Sequence, residues 1–398
     1  MGEKIRVSMV GCCLVDRLYK NISFSDAGFM PFLSKKLGDG GLTPGHLVFK
    51  EEFERFGKAE LSEILKKITK GREPDKINIG GPGIVPLIHI RQMQDAGDCE
   101  CCFYGCGGKD EDGEFIASTL KQMDLPLENY HLKNNVTPST VVLSDPTYDN
   151  GNGERAFINS IGAAWDYSPE ELEHTFFQSD IVVFGGTGLV PQIHDDLTGL
   201  LGKAKSGGCI TIVNTVFDFR NEKANPHKRW PLGKSDESYR NIDLLMVDYT
   251  EALRLSGKSS VEEAMRFFHS LGTGAVIVTN GSRNIRLFAK AGGVFKPLDE
   301  TEMPVSKAIS SELEQHFPGD TTGCGDNFVG GVISSVVTQL QQKKGKTDLT
   351  EASVWGIVSG GFSCFYMGGT FHEKYHGEKR EKIFPYYAQY KSHMEYGR

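Results

Sequence analysis

Five short apolar runs, separated by segments of helical pattern, constrain this chain of 398 residues more than any other feature of it. They are IRVSMVGCCLVDRLY at residues 5–19, SDIVVFGG at 179–186, CITIVNTVF at 209–217, IDLLMVD at 242–248 and AVIVTNG at 275–281. Each is short and rich in Val and Ile, as strands buried on both faces are. Helical patterns between them, such as residues 260–271, imply βαβ units and a mostly parallel sheet. The first run reads as a buried strand entering a glycine turn, with Asp16 just beyond its carboxyl end. Ligands sit there in open α/β sheets.

Residues 24–76 and 138–165 break this pattern, with turn residues and alternation in place of compact apolar runs. STVVLSDPTYDNGNGERAFINS (139–160) reads as a hairpin, two strand-like halves around a glycine- and asparagine-rich turn. Such an excursion suits a lid over a site, and its exposed edges would let two copies pair through it. No repeat, low-complexity segment or Pro/Gly-rich linker divides the chain.

A formal net charge of −8 argues against a nucleic-acid surface. The basic runs KKGK (343–346) and EKREK (378–382) read as solvated. No signal pattern opens the chain and no stretch approaches a membrane span, which predicts a cytosolic protein with no membrane partner. Nine cysteines in that setting are expected as reduced thiols. CECCFYGC (99–106) lacks the paired Cys-x-x-Cys spacing of structural zinc sites and reads as a strand of small buried residues. HEKYH (372–376) fits His-Glu-x-x-His formally, but glycines on both sides and a polar tail without an amphipathic run make it a loop or frayed helix end.

DTTGCGDNF (320–328) carries the chemistry. Gly323, Cys324 and Gly325 stand where an apolar run from Phe328 to Leu340 begins, so their N–H groups form an anion cradle at a helix start. A carboxylate at Asp326, beside a bound phosphate, needs a task of its own, and proton abstraction is the natural one. The plainer reading is a glycine-rich loop capping a buried helix.

The stretch resembles the second signature of the PfkB/ribokinase family of sugar and nucleoside kinases, Asp-Thr-x-Gly-Ala-Gly-Asp, with Cys324 for the usual alanine. The resemblance continues in order along the chain. Asp16 matches an acid that binds substrate hydroxyls, though a turn or cap acid would look the same. Gly80 and Gly81 in NIGGPGIVPLIHI (78–90) match the paired glycines of the first signature, while Val85 stands where the family usually has Asn. FYGCGGKDEDGEFIASTLKQMDL (103–125) and the hairpin with Gly153-Glu154-Arg155 resemble lid and pocket-wall pieces. Asp248 and Glu251 stand where the family has Asn-x-x-Glu, with Glu251 ordering the water shell of Mg²⁺; an N-cap pair is the alternative. Thr279 and Gly281 match a Val-Thr-x-Gly turn along the ATP phosphates and ribose, or form an ordinary β-turn. GLTPGHLVF (41–49) is similar to an insertion in the adenosine-kinase-like branch.

What the resemblance implies is a ribokinase-like three-layer α/β/α sandwich with a small β lid. It would be a single kinase domain over 1–398, with lid and insertion elements within about 17–76 and 135–165. The implied reaction moves the ATP γ-phosphoryl group to a hydroxyl, the expected acceptor being the hydroxymethyl of a sugar or else a nucleoside, with Mg²⁺ and a monovalent cation such as K⁺ as further components. No Gly-x4-Gly-Lys-Ser/Thr sequence occurs, which argues against a P-loop kinase. A catalytically silent sugar-binding protein of the same fold is the competing class, favoured by Val85 and Asp248 and disfavoured by the intact cradle and Asp326.

Overall fold

Alternation along the apolar runs decides the layers, because successive side chains of a strand leave opposite faces of its sheet. The computed structural model describes residues 4–36, 38–151, 153–315, 320–342 and 345–396. In the strand Ile5–Gly11, Val7 and Met9 enter one core while Val10 enters another. Ile181–Gly185 divides the same way, with Ile181 and Val183 on one side and Val182 and Phe184 on the other. Both faces are therefore buried, and helices cover each.

Among the described residues the large sheet has nine strands. Ala275–Thr279, Leu244–Asp248, Ile210–Asn214, Ile181–Gly185, Ile5–Gly11, Cys99–Gly108 and Tyr130–Lys133 lie side by side and parallel. Ile285–Ala289 and Leu298–Met303 close one edge as antiparallel strands. From Ile5–Gly11 the chain first builds outward to Cys99–Gly108 and Tyr130–Lys133, then returns to Ile181–Gly185 and builds the other way. That reversal leaves a crevice at the carboxyl ends of Ile5–Gly11 and Ile181–Gly185, where Gly11 pairs with Gly185. The architecture is the expected three-layer sandwich.

A second, five-stranded sheet is the lid. Ser139–Asp145 and Glu154–Ser160 form the expected antiparallel hairpin, with a short helix, Tyr148–Gly151, between them; residue 152 is outside the described residues. Its outer face carries Tyr19, Val141, Leu143, Ala156 and Ile158 into a small core with Phe53, Ile64 and Ile68. Phe53 and Ile64 come from the helices Lys50–Gly57 and Leu61–Ile68, so the insertion contains helices that its turn-rich composition concealed.

Three expectations are corrected. Asp16 is not in a turn beyond the first strand; it lies within a second strand, Leu14–Tyr19, which belongs to the lid sheet and pairs antiparallel with Lys76–Gly80. The polar tail folds into a helix, Glu378–Tyr396, that sends Ile383 and Tyr390 into the main core. Within EKREK, Lys379 is only 1% exposed rather than solvated. Lys343 and Lys344 of the other basic run lie outside the described residues, and no helix among those described is long and apolar enough to cross a membrane.

The lid core is small, so a single large truncation should loosen it. Phe53→Ala removes a fully buried ring and is expected to cost about 3–5 kcal/mol. Amide hydrogen exchange should then speed up in Ser139–Asp145 and Glu154–Ser160 more than in the large sheet. Unchanged exchange in those strands would show that the insertion does not support the lid.

Candidate active site

The lid sheet's inner face is set by its register. Asp16 and Leu18 pair with Thr140 and Val142, and Val142 and Ser144 pair in turn with Phe157 and Arg155, so these side chains share the face opposite the small core. Asp16 is 5% exposed and lies directly against Gly80, where an added Cβ would come within 1.9 Å of the Asp16 Oδ2. Any residue larger than glycine at position 80 would expel the carboxylate. Gly81 follows at φ 109°, and the Gly83 N–H donates to the Cys12 carbonyl at 2.8 Å, seating this turn on the carboxyl end of the first strand. Asn214, ending its own strand, donates to the Pro82 carbonyl at 2.9 Å. The paired-glycine turn thus sits on the sheet's reversal point.

The cradle faces the same crevice. Gly323 caps the helix Cys324–Gln341 at φ 79°, a left-handed conformation natural to glycine, with an added Cβ only 2.3 Å from the Gly369 Cα. Gly325 has open space beside it. The Cys324 N–H, by contrast, already donates to the Thr321 carbonyl at 3.3 Å, a long bond that a better acceptor could replace. Asp326 is half-buried in the first turn, and burial pushes its carboxyl up to about 7. Burial likewise drives Asp16 well above the ordinary carboxyl range, with the charges of Asp326 and Asp320 adding to the rise and Arg155 opposing it. Asp16 and Asp326, at opposite ends of the sequence, therefore lie within electrostatic reach. Arg155 donates to the Thr322 Oγ1 at 3.1 Å, joining the lid to the cradle loop. A cavity of about 460 Å³ lies between them, lined among others by Leu18, Val142, Arg155, Asp320 and Met367.

Behind the cradle is a buried polar hub. The Asn327 amide donates to the Gly323 and Gly369 carbonyls, both at 2.8 Å. Its Oδ1 accepts from Lys379 Nζ at 2.7 Å and Tyr366 OH at 3.2 Å, and lies 3.0 Å from His89 Nδ1. Burial and the Lys379 charge hold the His89 imidazole well below its usual range, and burial brings the Lys379 ammonium down to about 7. The HEKYH segment is a loop tied into this region: His372 Nε2 lies 3.1 Å from Asn78 Oδ1, and Glu373 accepts from the Lys379 backbone N–H at 2.8 Å. Val85, in the position where a polar residue was expected, is 1% exposed and packs toward Gly369.

Asp248 and Thr279 end neighbouring strands and are paired in register, which brings those two expected positions together on the same carboxyl edge. Asp248 and Glu251 form a capping box: Glu251 N–H donates to Asp248 Oδ1 at 2.7 Å, and Asp248 N–H to Glu251 Oε2 at 3.1 Å. Burial and the Asp248 charge raise the Glu251 carboxyl to about 8, and Asp326 contributes to that rise. Glu251 therefore also belongs to the crevice. Gly281, at φ 56°, has open space around it and adjoins a cavity of about 450 Å³ lined by Tyr249, Asn280 and Arg283 among others. Among the described residues, no group of three or more His, Cys, Asp or Glu side chains could hold a metal ion.

Sequence reasoning did not single out Arg155 as the lid's charge, or Asn327, His89 and Lys379 as a hub. Asn327 was visible beside the acid; His89 was hidden in an apolar helix and Lys379 in a charged run.

Residues 86–372 match the model of the pfkB family carbohydrate kinases. The chain belongs to that family. It is 28% identical over 251 residues to an aminoimidazole riboside kinase of Salmonella typhimurium, covering 59% of this chain and 67% of that protein. Its fold is similar to ribokinase of Thermotoga maritima, with a TM-score of 0.60 at 18% identity over 96% of this chain and 99% of that one. It is also similar to adenosine kinase of Schistosoma mansoni, solved with 2-fluoroadenosine, with a TM-score of 0.66 at 17% identity over 92% and 97% of the two chains. Kinase chemistry with a sugar or nucleoside acceptor, and hence use of ATP, follows from the family.

The buried Lys379 gives this kinase a measurable signature. Its pKa is lower in the folded chain than the ordinary 10.5, so between about 7 and 10.5 the unfolded chain holds the extra proton. Stability measured relative to Lys379→Met should accordingly rise with pH across that window, by at most about 1.4 kcal/mol per unit. Urea unfolding of both proteins at several pH values reads the difference; a flat difference would mean that Lys379 stays charged in the fold.

Proposed function

We propose that this kinase transfers the ATP γ-phosphoryl group to the hydroxymethyl group of a sugar, with Asp326 as the general base. The reading rests chiefly on one observation: Asp326 lies in the first turn of the cradle helix, half-buried and within electrostatic reach of Asp16. Asp16 would hold an acceptor hydroxyl, and Gly80 would let its carboxylate sit close against the turn. Asp326 would take the proton as the hydroxyl attacks. The N–H groups of Gly323, Cys324 and Gly325, with the helix dipole, would receive the oxygens of the moving phosphoryl group. Arg155 would bring a positive charge down with the lid, and lid closure would exclude water from the transfer.

Thr279 and Gly281 would line the nucleotide's phosphates and ribose; the open space beside Gly281 suits this. Mg²⁺ would be met through its waters rather than by a cluster of side chains. Asp16, Glu251 and Asp326 all have raised pKa values in one crevice, an excess of carboxylates that a dication with its phosphates would relieve. Glu251 and Asp248 would hold it through water, and when bound it would neutralise charge on the β- and γ-phosphates. K⁺ is kept as an accessory cation on the family resemblance alone.

A riboside or nucleoside is the second reading for the acceptor. The apolar lining of the lid cavity by Leu18, Val142, Pro146 and Met367 favours it, because a base attached to ribose has an apolar face to bury and a free hexose does not. A screen of sugars and ribosides by thermal shift, followed by ADP release with Mg-ATP, separates the two acceptors. It also tests a silent sugar-binding protein, which would be stabilised by ligand yet release no ADP.

Asp326→Asn is expected to keep nucleotide affinity while lowering kcat by at least about a hundredfold, since only the proton acceptor is lost. In the unaltered enzyme kcat/KM should fall as pH drops below about 7, because the base is then protonated. Near-normal turnover by Asp326→Asn would remove it from this role.

A further inference from the structure

Two of the nine cysteines differ from the rest. Seven are buried, whereas Cys324 and Cys364 are half-exposed. Their Sγ atoms lie 3.3 Å apart. Cys324 is the first residue of the cradle helix, and Cys364 lies in the Ser363–Phe365 turn that ends the helix Leu349–Phe362. A disulfide needs about 2.05 Å between sulfurs, so the two have to close by little more than an ångström. The Cys99 and Cys101 sulfurs, 3.7 Å apart, provide an internal contrast: they are buried neighbours on one strand, away from any oxidant.

The surroundings suit thiol chemistry. Arg155 bears on both cysteines and favours the thiolate at each. The hydrogen bond between them divides their roles: it lowers the pKa of Cys364 and raises that of Cys324. That bias suits Cys364 to the first attack and Cys324 to resolving it. Neither is required as a side chain by the phosphoryl transfer proposed above, which uses only the backbone N–H of Cys324.

We propose that Cys324 and Cys364 form a reversible disulfide under hydroperoxide, and that this bond switches off the anion cradle. The Cys364 thiolate attacks the peroxide O–O bond, giving a sulfenic acid and releasing an alcohol, or water from hydrogen peroxide. The Cys324 thiolate then attacks that sulfur, forming the S–S bond and expelling hydroxide, which takes up the proton Cys324 gave up and leaves as water. Two thiols and one peroxide become one disulfide, one alcohol and one water. A dithiol reverses the bond by exchange.

Oxidation acts on the cradle through its backbone. Drawing the Cys324 sulfur toward the 363–365 turn pulls the residue whose N–H is to meet the phosphate. That turn continues into Tyr366, which bonds the Asn327 hub behind Gly323. A misplacement of about 1 Å at a positioning group can cost about a hundredfold in rate. This effect on activity rests on the cradle function proposed above; formation of the bond does not.

The test treats the full chain with hydrogen peroxide, with and without later dithiothreitol. Intact mass should fall by two hydrogen atoms, and peptide mapping should find residues 324 and 364 linked. Kinase activity should drop by about a hundredfold and return with dithiothreitol. Cys364→Ser should keep its activity in reductant and retain it after peroxide. Absence of the 324–364 link overturns the proposal, as does a linked protein that is fully active or a Cys364→Ser variant that is inactivated equally. A reduced protein inactive toward every acceptor would instead count against the kinase reading, and the cradle is then followed by the loss of ADP-induced thermal stabilisation on oxidation.

Discussion

The site depends on the side chain of Asn327 more than on any other single group. Its two N–H donors hold the carbonyls of Gly323 and Gly369, and so fix the left-handed residue from which the cradle helix starts. Its oxygen gathers a lysine, a tyrosine and a histidine from three separate parts of the chain. A buried amide with both donors and its acceptor engaged is a rigid joint, since each lost partner would leave a polar atom stranded in apolar surroundings. Asp326 next to it inherits that rigidity.

The placing of charge follows the same economy. The crevice collects carboxylates from the lid, from the cradle and from the Asp248–Glu251 cap, and burial makes all of them harder to ionise. Arg155, reaching in from the lid, counters this in part at Asp16. Such an arrangement is poorly balanced alone and well balanced around a phosphate-bound cation, which is the physical reason for reading it as a phosphoryl-transfer site. The Lys379 ammonium lies behind the cradle rather than in it, where it serves Asn327.

Much of this was legible from the residues. The short Val- and Ile-rich runs foretold the parallel sheet, and the glycine-and-acid stretch at 320–328 foretold the helix that starts after Gly323, because both depend on local sequence. Asp16 was legible as a residue but not as a place: a two-residue break at Cys12 and Cys13, between two strands of different sheets, cannot be told from a simple turn. The hub was not legible, because it joins positions 89, 327, 366 and 379, each ordinary in its own neighbourhood. The tail helix was missed for a related reason. Its buried side is supplied by a few residues such as Lys379, Ile383 and Tyr390 in an otherwise polar stretch, so no apolar stripe announces it.

The two-residue break has a mechanical meaning. The strand bearing Asp16 belongs to the lid sheet, yet it follows the first strand of the large sheet, Ile5–Gly11, after only Cys12 and Cys13. The group proposed to grip the acceptor therefore rides on the cover rather than on the base. Gripping and closing would be one movement about a short hinge, so that an acceptor too small to bridge Asp16 and the cradle would leave the cover ajar.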